Sequence, residues 1–440
     1  MRASSFHPFP RTALALAAAV VVCAPALAQN TTAALSGQVS GSDGKPVAGA
    51  AVSILHVESR SVSTATTDAS GRYTARGLRV GGPYTVTITK GGATERRDNV
   101  FLTLAETTSL DATLGTVTQV VVTGSAVSDK FNSATMGSGT NVNSAQLNAL
   151  ASIQRSLQDY ARTDPRLAQT DKERGEISAA GQNTRFNSIT IDGVNVNDTF
   201  GLESNNLPTI KQPVSIEAIQ SVQVNLSNYD VTQKGYTGAN INAVTKSGGN
   251  EFSGSVFYVT RDESMAGQRY NRAADTYFDA PPFKETTKGF TLGGPILKDK
   301  LFFFAAYEDF FSSRTRPDFG PVGSTTGTTV GITQSAIQGA IDVSKNTWGV
   351  DVGSATPPGG LGVSVKDALV KLDWNINDSH RANLRWTQTD QVEPFLVGFG
   401  ATGLSLSSYW YNQSKQLESM VGQWFADWTP NFSTEVKLSK

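Results

Sequence analysis

The chain has 440 residues, and its 37 Lys plus Arg against 38 Asp plus Glu give a formal net charge of −1, which leaves no electrostatic footprint for nucleic acid. Charged residues make up 17%, below the ~25% of an ordinary soluble domain, while 41 glycines favour short strands and turns over long helices. The single Cys is Cys23, so neither a disulfide framework nor a Cys-zinc site is available, and the length allows roughly two to four domains.

Residues 1–28 read as a cleaved export signal. Arg2 and Arg11 supply the basic start, LALAAAVVVCAPALA the apolar run, and Ala26-Leu27-Ala28 the A-x-A cleavage site. Leu14 to Val22 is too short for a membrane helix, which needs about 20 residues, and Pro25 follows it. Cys23 follows Val22 rather than the small residue that precedes a lipidated Cys, and cleavage after Ala28 removes it.

From Leu35 to Leu114, alternating segments are separated by Gly/Asp turns. SDGKP lies between two such segments, DASG precedes Tyr73, and PYTVTITKGG alternates over Tyr84, Val86 and Ile88. Strands at this spacing predict a small antiparallel β-sandwich over residues 31–114, with Asp43 and Asp68 as turn residues. Gly37-x-Val39, Gly44-Lys45-Pro46-Val47-x-Gly49-Ala50, Thr67-Asp68-x-x-Gly71-x-Tyr73 and Gly82-Pro83-Tyr84-x-Val86 resemble the carboxypeptidase regulatory-like domain over nearly the whole segment. The resemblance implies no catalytic residues and leaves a spacer role and a carbohydrate contact both open.

Residues 115–145 read as a linker. Its TVTQVVVTGS, Thr116 to Ser125, carries four Val and no charge, and a Ser/Asn/Gly-rich tract follows. Such a segment is an aggregation hazard unless something pairs with it. Either it is an edge offered to a partner, or it is the first strand of the next domain, paired internally.

A compact α+β domain is expected over residues 141–249. Leu147, Leu150, Ile153 and Leu157 fall near helical spacing; FNSITIDGVNVNDTFG reads as strand, Asp-Gly turn, strand. SIEAIQSVQVNLSNYDVTQ begins as a helical turn and continues as a strand, and in YTGANINAVTKSGGNEF Ile241 and Val244 break strict alternation. Ile191-Asp192-Gly193-Val194, Ser215-Ile216-Glu217-Ala218-Ile219, Asn228-Tyr229-Asp230-Val231 and Gly238 to Gly248, with Asn240, Asn242 and Lys246, resemble the plug domain of TonB-dependent outer-membrane receptors. YDVTQKGYTGANINAVTKSGGNEFSGSVFYVTRDE and LGGPILKDKLFFFAAYEDF are similar to the Oar-like branch. Asn225-Leu226-Ser227-Asn228-Tyr229 stands where siderophore receptors carry a different stretch, so a siderophore is not implied as ligand.

Residues 250–440 give about seven alternating segments. In VKDALVKLDWNI, Ala368, Val370, Leu372 and Trp374 share one face, and Asp367, Lys371 and Asp373 the other; HRANLRWTQ sets Ala382, Leu384 and Trp386 against Arg381, Asn383 and Arg385. Apolar outside and charged inside fits a transmembrane β-barrel, and a soluble sandwich shows the same alternation. Short KDK, NINDS and TPN connections alternate with long Gly/Ser/Pro-rich ones at 263–285, 312–362 and 391–414, as in a barrel with periplasmic turns on one rim and extracellular loops on the other. Trp374, Trp386, Trp424 and Trp428, near strand ends, fit its aromatic girdles. Plugged transporters have about 22 strands, so the expectation is the first part of a barrel, in a fragment or a truncated product. The fold class is mainly β: sandwich, α+β plug and incomplete barrel.

No HExxH, GxSxG, P-loop or EF-hand spacing occurs. Asp192 and Asp198 flank a turn, and turn capping outweighs catalysis for them. No enzyme, cofactor or metal site is expected. The resemblance implies an outer-membrane receptor that imports an extracellular ligand, a peptide or a glycan, using inner-membrane energy. It also implies a TonB-like energy-transducing partner taking a TonB box at Thr118, Gln119, Val120, Val121, Val122 and Thr123. A non-transporting adhesion or carbohydrate-binding surface protein is the alternative.

Overall fold

In the computed structural model the described residues are 32–440 apart from 58–59, 103–106, 116–138, 172–173, 202, 227–234, 272–274, 281, 314–318, 325, 327, 359, 378 and 430–431. Eight strands come first: β1 (Ala33–Gly41), β2 (Ala51–His56), β3 (Val62–Thr66), β4 (Arg72–Leu78), β5 (Gly81–Lys90), β6 (Ala93–Leu102), β7 (Thr107–Ser109) and β8 (Ala112–Leu114). They form two four-stranded sheets, one with β1 between β4 and β7 and also pairing β8, the other in the order β3-β2-β5-β6. Leu35, Val39, Val52, Ile54, Tyr73, Tyr84, Val86 and Ile88 fill the space between them, as their period-2 spacing requires. Asp68 closes its turn by accepting from Ser70 N at 2.8 Å and Arg72 N at 2.9 Å. The expected all-antiparallel sandwich needs one correction: β1 pairs β7 and β8 in parallel, because the chain returns from β6 to lie beside β1 in the same direction.

The next elements are β9 (Gly139–Val142), α1 (Ser144–Ala149), α2 (Leu157–Ala161), β10 (Leu167–Asp171), β11 (Glu176–Ala179), β12 (Ser188–Ile191), β13 (Val194–Asn195), β14 (Ile219–Asn225) and β15 (Asn240–Thr245). A five-stranded sheet runs β13-β12-β15-β14-β9. Every residue of β14 and β15 is buried, which explains the lost alternation at Ile241 and Val244: strands covered on both faces read as continuous runs. The helical spacing of Leu147 to Leu157 does not make one helix. Asn143 caps α1 in a capping box with Gln146, and Ser156 caps α2, so two local starts replace a continuous run. Leu147 and Leu157 are buried, whereas Leu150 is 40% and Ile153 73% exposed.

The remainder comprises β16 (Ser253–Asp262), β17 (Arg269–Asn271), β18 (Thr276–Phe278), β19 (Lys284–Leu297), β20 (Leu301–Ser312), β21 (Phe319–Val322), β22 (Thr328–Thr333), α3 (Gln334–Trp348), β23 (Val363–Asn377), β24 (His380–Phe395), β25 (Tyr411–Thr429) and β26 (Phe432–Ser439). Seven of these strands form a wall of antiparallel neighbours, β16-β19-β20-β23-β24-β25-β26. Connections at 298–300, 378–379 and 430–431 are short, and those at 263–283, 313–362 and 396–410 are long. The long ones carry structure that their composition hid. Thr333 caps α3, and Gly349 ends it in the left-handed region at φ +68°, a start and stop pair set inside a polar loop.

Alternation in β23 and β24 falls as expected, with Asp367, Lys371, Asp373 and Arg385 turned in and Val370, Trp374 and Leu384 turned out. Trp374, Trp424 and Trp428 sit at the rim of short turns, where His380 packs 5.9 Å from the Trp424 ring and 4.9 Å from the Trp428 ring. Trp386 is not near a strand end. β24 continues to Phe395, past the level where the outward residues turn polar at Gln388 and Asp390. Trp386 marks that border, and its Nε1 donates to Glu418 at 3.0 Å.

Candidate functional site at the plug and wall interface

Asp192 and Gly193 are the two-residue loop between β12 and β13. Ile191 faces Val194 in register, and φ is +48° and +72° at the two loop residues, the pair of left-handed positions that a type I′ turn demands and that Asp-Gly supplies. Asn242 on β15 holds the turn, its Oδ1 accepting from Thr190 Oγ1 at 2.8 Å and Gly193 N at 2.9 Å. The Asp192 carboxylate in turn accepts from Thr245 N at 2.8 Å and Thr245 Oγ1 at 2.7 Å. The structure therefore brings Asp192, Gly193 and Asn242 together.

From the wall, Arg385 Nη1 lies 2.6 Å from Asp192 Oδ2 and donates to Ile191 O at 2.9 Å. Lys371, directly opposite Arg385 in the β23–β24 register, donates to Thr245 Oγ1 at 3.0 Å and stands 3.9 Å from Asp192 Oδ2. Burial by itself raises a carboxyl pKa, but the charges of Lys371 and Arg385 and the bonds from Thr245 override it. Asp192 is held well below the usual carboxylate range, ionised at any physiological pH. Turn capping is thus only part of what Asp192 does; Asp198 does cap its turn, accepting from Phe200 N at 2.9 Å.

Two further charged contacts join plug and wall. Glu308 on β20, 1% exposed, accepts from Ser215 Oγ at 2.6 Å and Lys211 Nζ at 3.2 Å, and Lys211 stands 4.2 Å from the Phe310 ring centroid. Glu203 takes Lys415 of β25 and, at 3.5 Å, Arg174. Ile210 N also donates to Gln391 Oε1 at 2.8 Å. Phe304, Ala306 and Leu369 of the wall complete the apolar side of the contact with the plug core. Buried charge pairs of this kind attract strongly only while water is kept out.

The remaining expected residues lie elsewhere. Gly238 passes so close to Asn187 that a Cβ would sit 2.3 Å from its Oδ1, which accepts from Ala239 N at 2.9 Å. Asn240 is buried and opposite Asn225 in the β14–β15 register. Lys246 N donates to Ala218 O at 2.8 Å, and its side chain lines a cavity of about 210 Å³ with Arg155 and Glu217. Tyr229 and Asp230, and Thr118 to Thr123, lie outside the described residues. Among the described residues, no group of three or more His, Cys, Asp and Glu could hold a metal. Arg385 and Lys371 were legible only as inward-facing charges; Lys211, Glu203 and Lys415 belong to no motif, and Glu308 lies within LGGPILKDKLFFFAAYEDF, where inward alternation is the signal that could have singled it out.

Residues 34–115 match the carboxypeptidase regulatory-like domain and residues 244–357 an outer membrane beta barrel domain. Over 319 residues, 68% of this chain, the sequence is 30% identical to the TonB-dependent transporter Oar of Myxococcus xanthus, and it spans 29% of that protein's length. Among solved structures, the siderophore receptor PirA of Acinetobacter baumannii is 19% identical with a TM-score of 0.44, and the outer membrane transporter YddB of Escherichia coli is 15% identical with a TM-score of 0.47. Each match covers 69% of this chain, and 39% and 38% of the respective structures; the sequence matches rather than these carry the assignment. The chain is an Oar-like member of the TonB-dependent outer-membrane receptor family, with an N-terminal carboxypeptidase regulatory-like domain and an outer-membrane β-barrel domain.

Proposed function

We propose that the chain is the plug-bearing part of a transporter that binds an extracellular ligand and imports it across the outer membrane on energy delivered by a TonB-like partner. The observation that carries this is the ionised Asp192 on the plug, paired with Arg385 and Lys371 of the wall. A plug meant to stay would be sealed with apolar side chains, whereas charged contacts release when pulled into water. In this reading residues 1–28 are the cleaved export signal, 31–114 the sandwich, 115–138 the linker, 139–249 the plug, to whose sheet β9 belongs, and 250–440 the start of the barrel. The partner's handle is Thr118 to Thr123, where the β-branched run Val120-Val121-Val122 offers backbone for addition to a partner's sheet edge. The ligand is a peptide or a glycan, and the sandwich is a second place for glycan contact.

Cysteine substitutions at each of residues 118–123, paired with single cysteines introduced on the partner's exposed sheet edge, test the handle in cells. The expected result is a disulfide or short crosslink to the partner at alternate positions, as a paired strand requires. No crosslink at any position, in medium rich in peptides and glycans, overturns the reading.

A further inference from the structure

The sandwich is packed against both the plug and the wall. Val244 of β15 is part of the sandwich's own core cluster. Gln223 Nε2 of β14 donates to Leu102 O at 3.1 Å, and Gln220 Nε2 lies 3.0 Å from His56 Nε2. On the wall side, Arg79 Nη2 pairs with Asp373 Oδ1 at 3.0 Å. Arg381 donates to Ser63 Oγ at 2.8 Å and Arg76 O at 2.7 Å, and Arg76 Nη1 donates to Ser433 Oγ at 2.9 Å. Asp373 and Arg381 flank the short 378–379 connection, so these contacts lie at the rim of tight turns, directly beneath the plug. A cavity of about 60 Å³ there is shared by all three parts, with Arg79, Asp192, Lys371, Asp373 and Arg385 among its lining residues.

We propose that the sandwich is a removable stop: bolted to the wall by Arg79–Asp373 and by Arg381, it blocks the plug's exit and is detached before the plug can move. This rests on the reading of residues 118–123 as the partner's handle. The order follows from chain length. Only residues 115–117 separate that handle from Leu114, the end of β8, whereas residues 124–138 lie between it and Gly139, the start of the plug. At ~3.3–3.6 Å per extended residue, the sandwich side goes taut after about 10 Å and the plug side only after about 50 Å. A pull on the handle therefore loads the sandwich first. Its bonds from Arg381 to Arg76 O and from Arg76 to Ser433 are exposed, the kind that water replaces readily, while Arg79–Asp373 is the more buried contact.

The test uses the full-length receptor in lipid vesicles, pulled through a click-chemistry handle at position 119. The expected record has two steps, a shorter one for sandwich release and then a longer one for the plug. Arg79→Asp removes the first step, and the swap Arg79→Asp with Asp373→Arg restores it, which a misfolded sandwich would not allow. A reducible bismaleimide joining Arg76→Cys to Ser433→Cys abolishes both steps until reductant is added. Plug extension at one force in wild type, in Arg79→Asp and in the crosslinked protein overturns the stop. Absence of any partner crosslink at 118–123 in cells overturns the handle instead, so the two failures are told apart.

Discussion

Arg385 on the wall and Asp192 on the plug meet at 2.6 Å, Nη1 to Oδ2, at the tip of a two-residue turn. The turn matters as much as the charge. It lifts one carboxylate clear of the plug sheet and fixes its direction through Thr245 and Asn242, so the ion pair forms without ordering a flexible side chain on the plug side.

Asp192→Asn isolates that charge. Asn suits the left-handed position of a type I′ turn as well as Asp does, so the backbone is kept while Arg385 and Lys371 are left facing each other uncompensated. Removing one partner of a buried pair costs about 3–5 kcal/mol. Urea unfolding followed on the plug should show a fall of that order. An unchanged plug midpoint would mean that the pair contributes nothing to holding it.

The pH dependence has a definite sign. The folded pKa of Asp192 is depressed, so its stabilisation is full above the unfolded carboxylate value of about 3.9 and is lost as pH falls from there toward the folded value. Protease protection of the plug should therefore be flat from neutral pH down to about 5 and weaken below about 4. The Asp192→Asn protein should lack the part of that slope due to this group. His56 adds no switch near neutrality: burial first, then Arg79 and Lys371, lower it to about 3.

Gly238→Ala should be costly where Gly331→Ala is not. A Cβ at Gly238 meets Asn187 Oδ1 at 2.3 Å, while one at Gly331 meets nothing within 4 Å. Overpacking of this kind costs about 1–3 kcal/mol, against changes within about 0.5 kcal/mol at an open site. Thermal melts of the two variants decide between them.

The two borders of the outward apolar band can be read by fluorescence. In single-Trp proteins, a brominated lipid confined to the leaflet nearer the short turns should quench Trp374 and Trp424, and one confined to the opposite leaflet should quench Trp386. Equal quenching of all three from one leaflet would refute the band drawn here between the short-turn rim and Gln388.

The alternation of β23 and β24, the Asp-Gly turn, the tight connections and the sandwich motifs were all legible in the sequence, because each depends on residues that are neighbours in the chain or two apart. The same locality explains the misreadings. The helical spacing of Leu147 to Leu157 resolves into two short helices because Asn143 and Ser156 each cap a separate start, and α3 was hidden in a loop whose composition masked its caps. The sequence by itself determined which wall residues face inward; it could not say what they face. The pairing of Arg385 with Asp192, of Glu308 with Lys211 and Ser215, and of Arg79 with Asp373 was decided by the tertiary structure alone. Each joins elements far apart along the chain, and a charge pair depends on distances across space that no periodicity encodes.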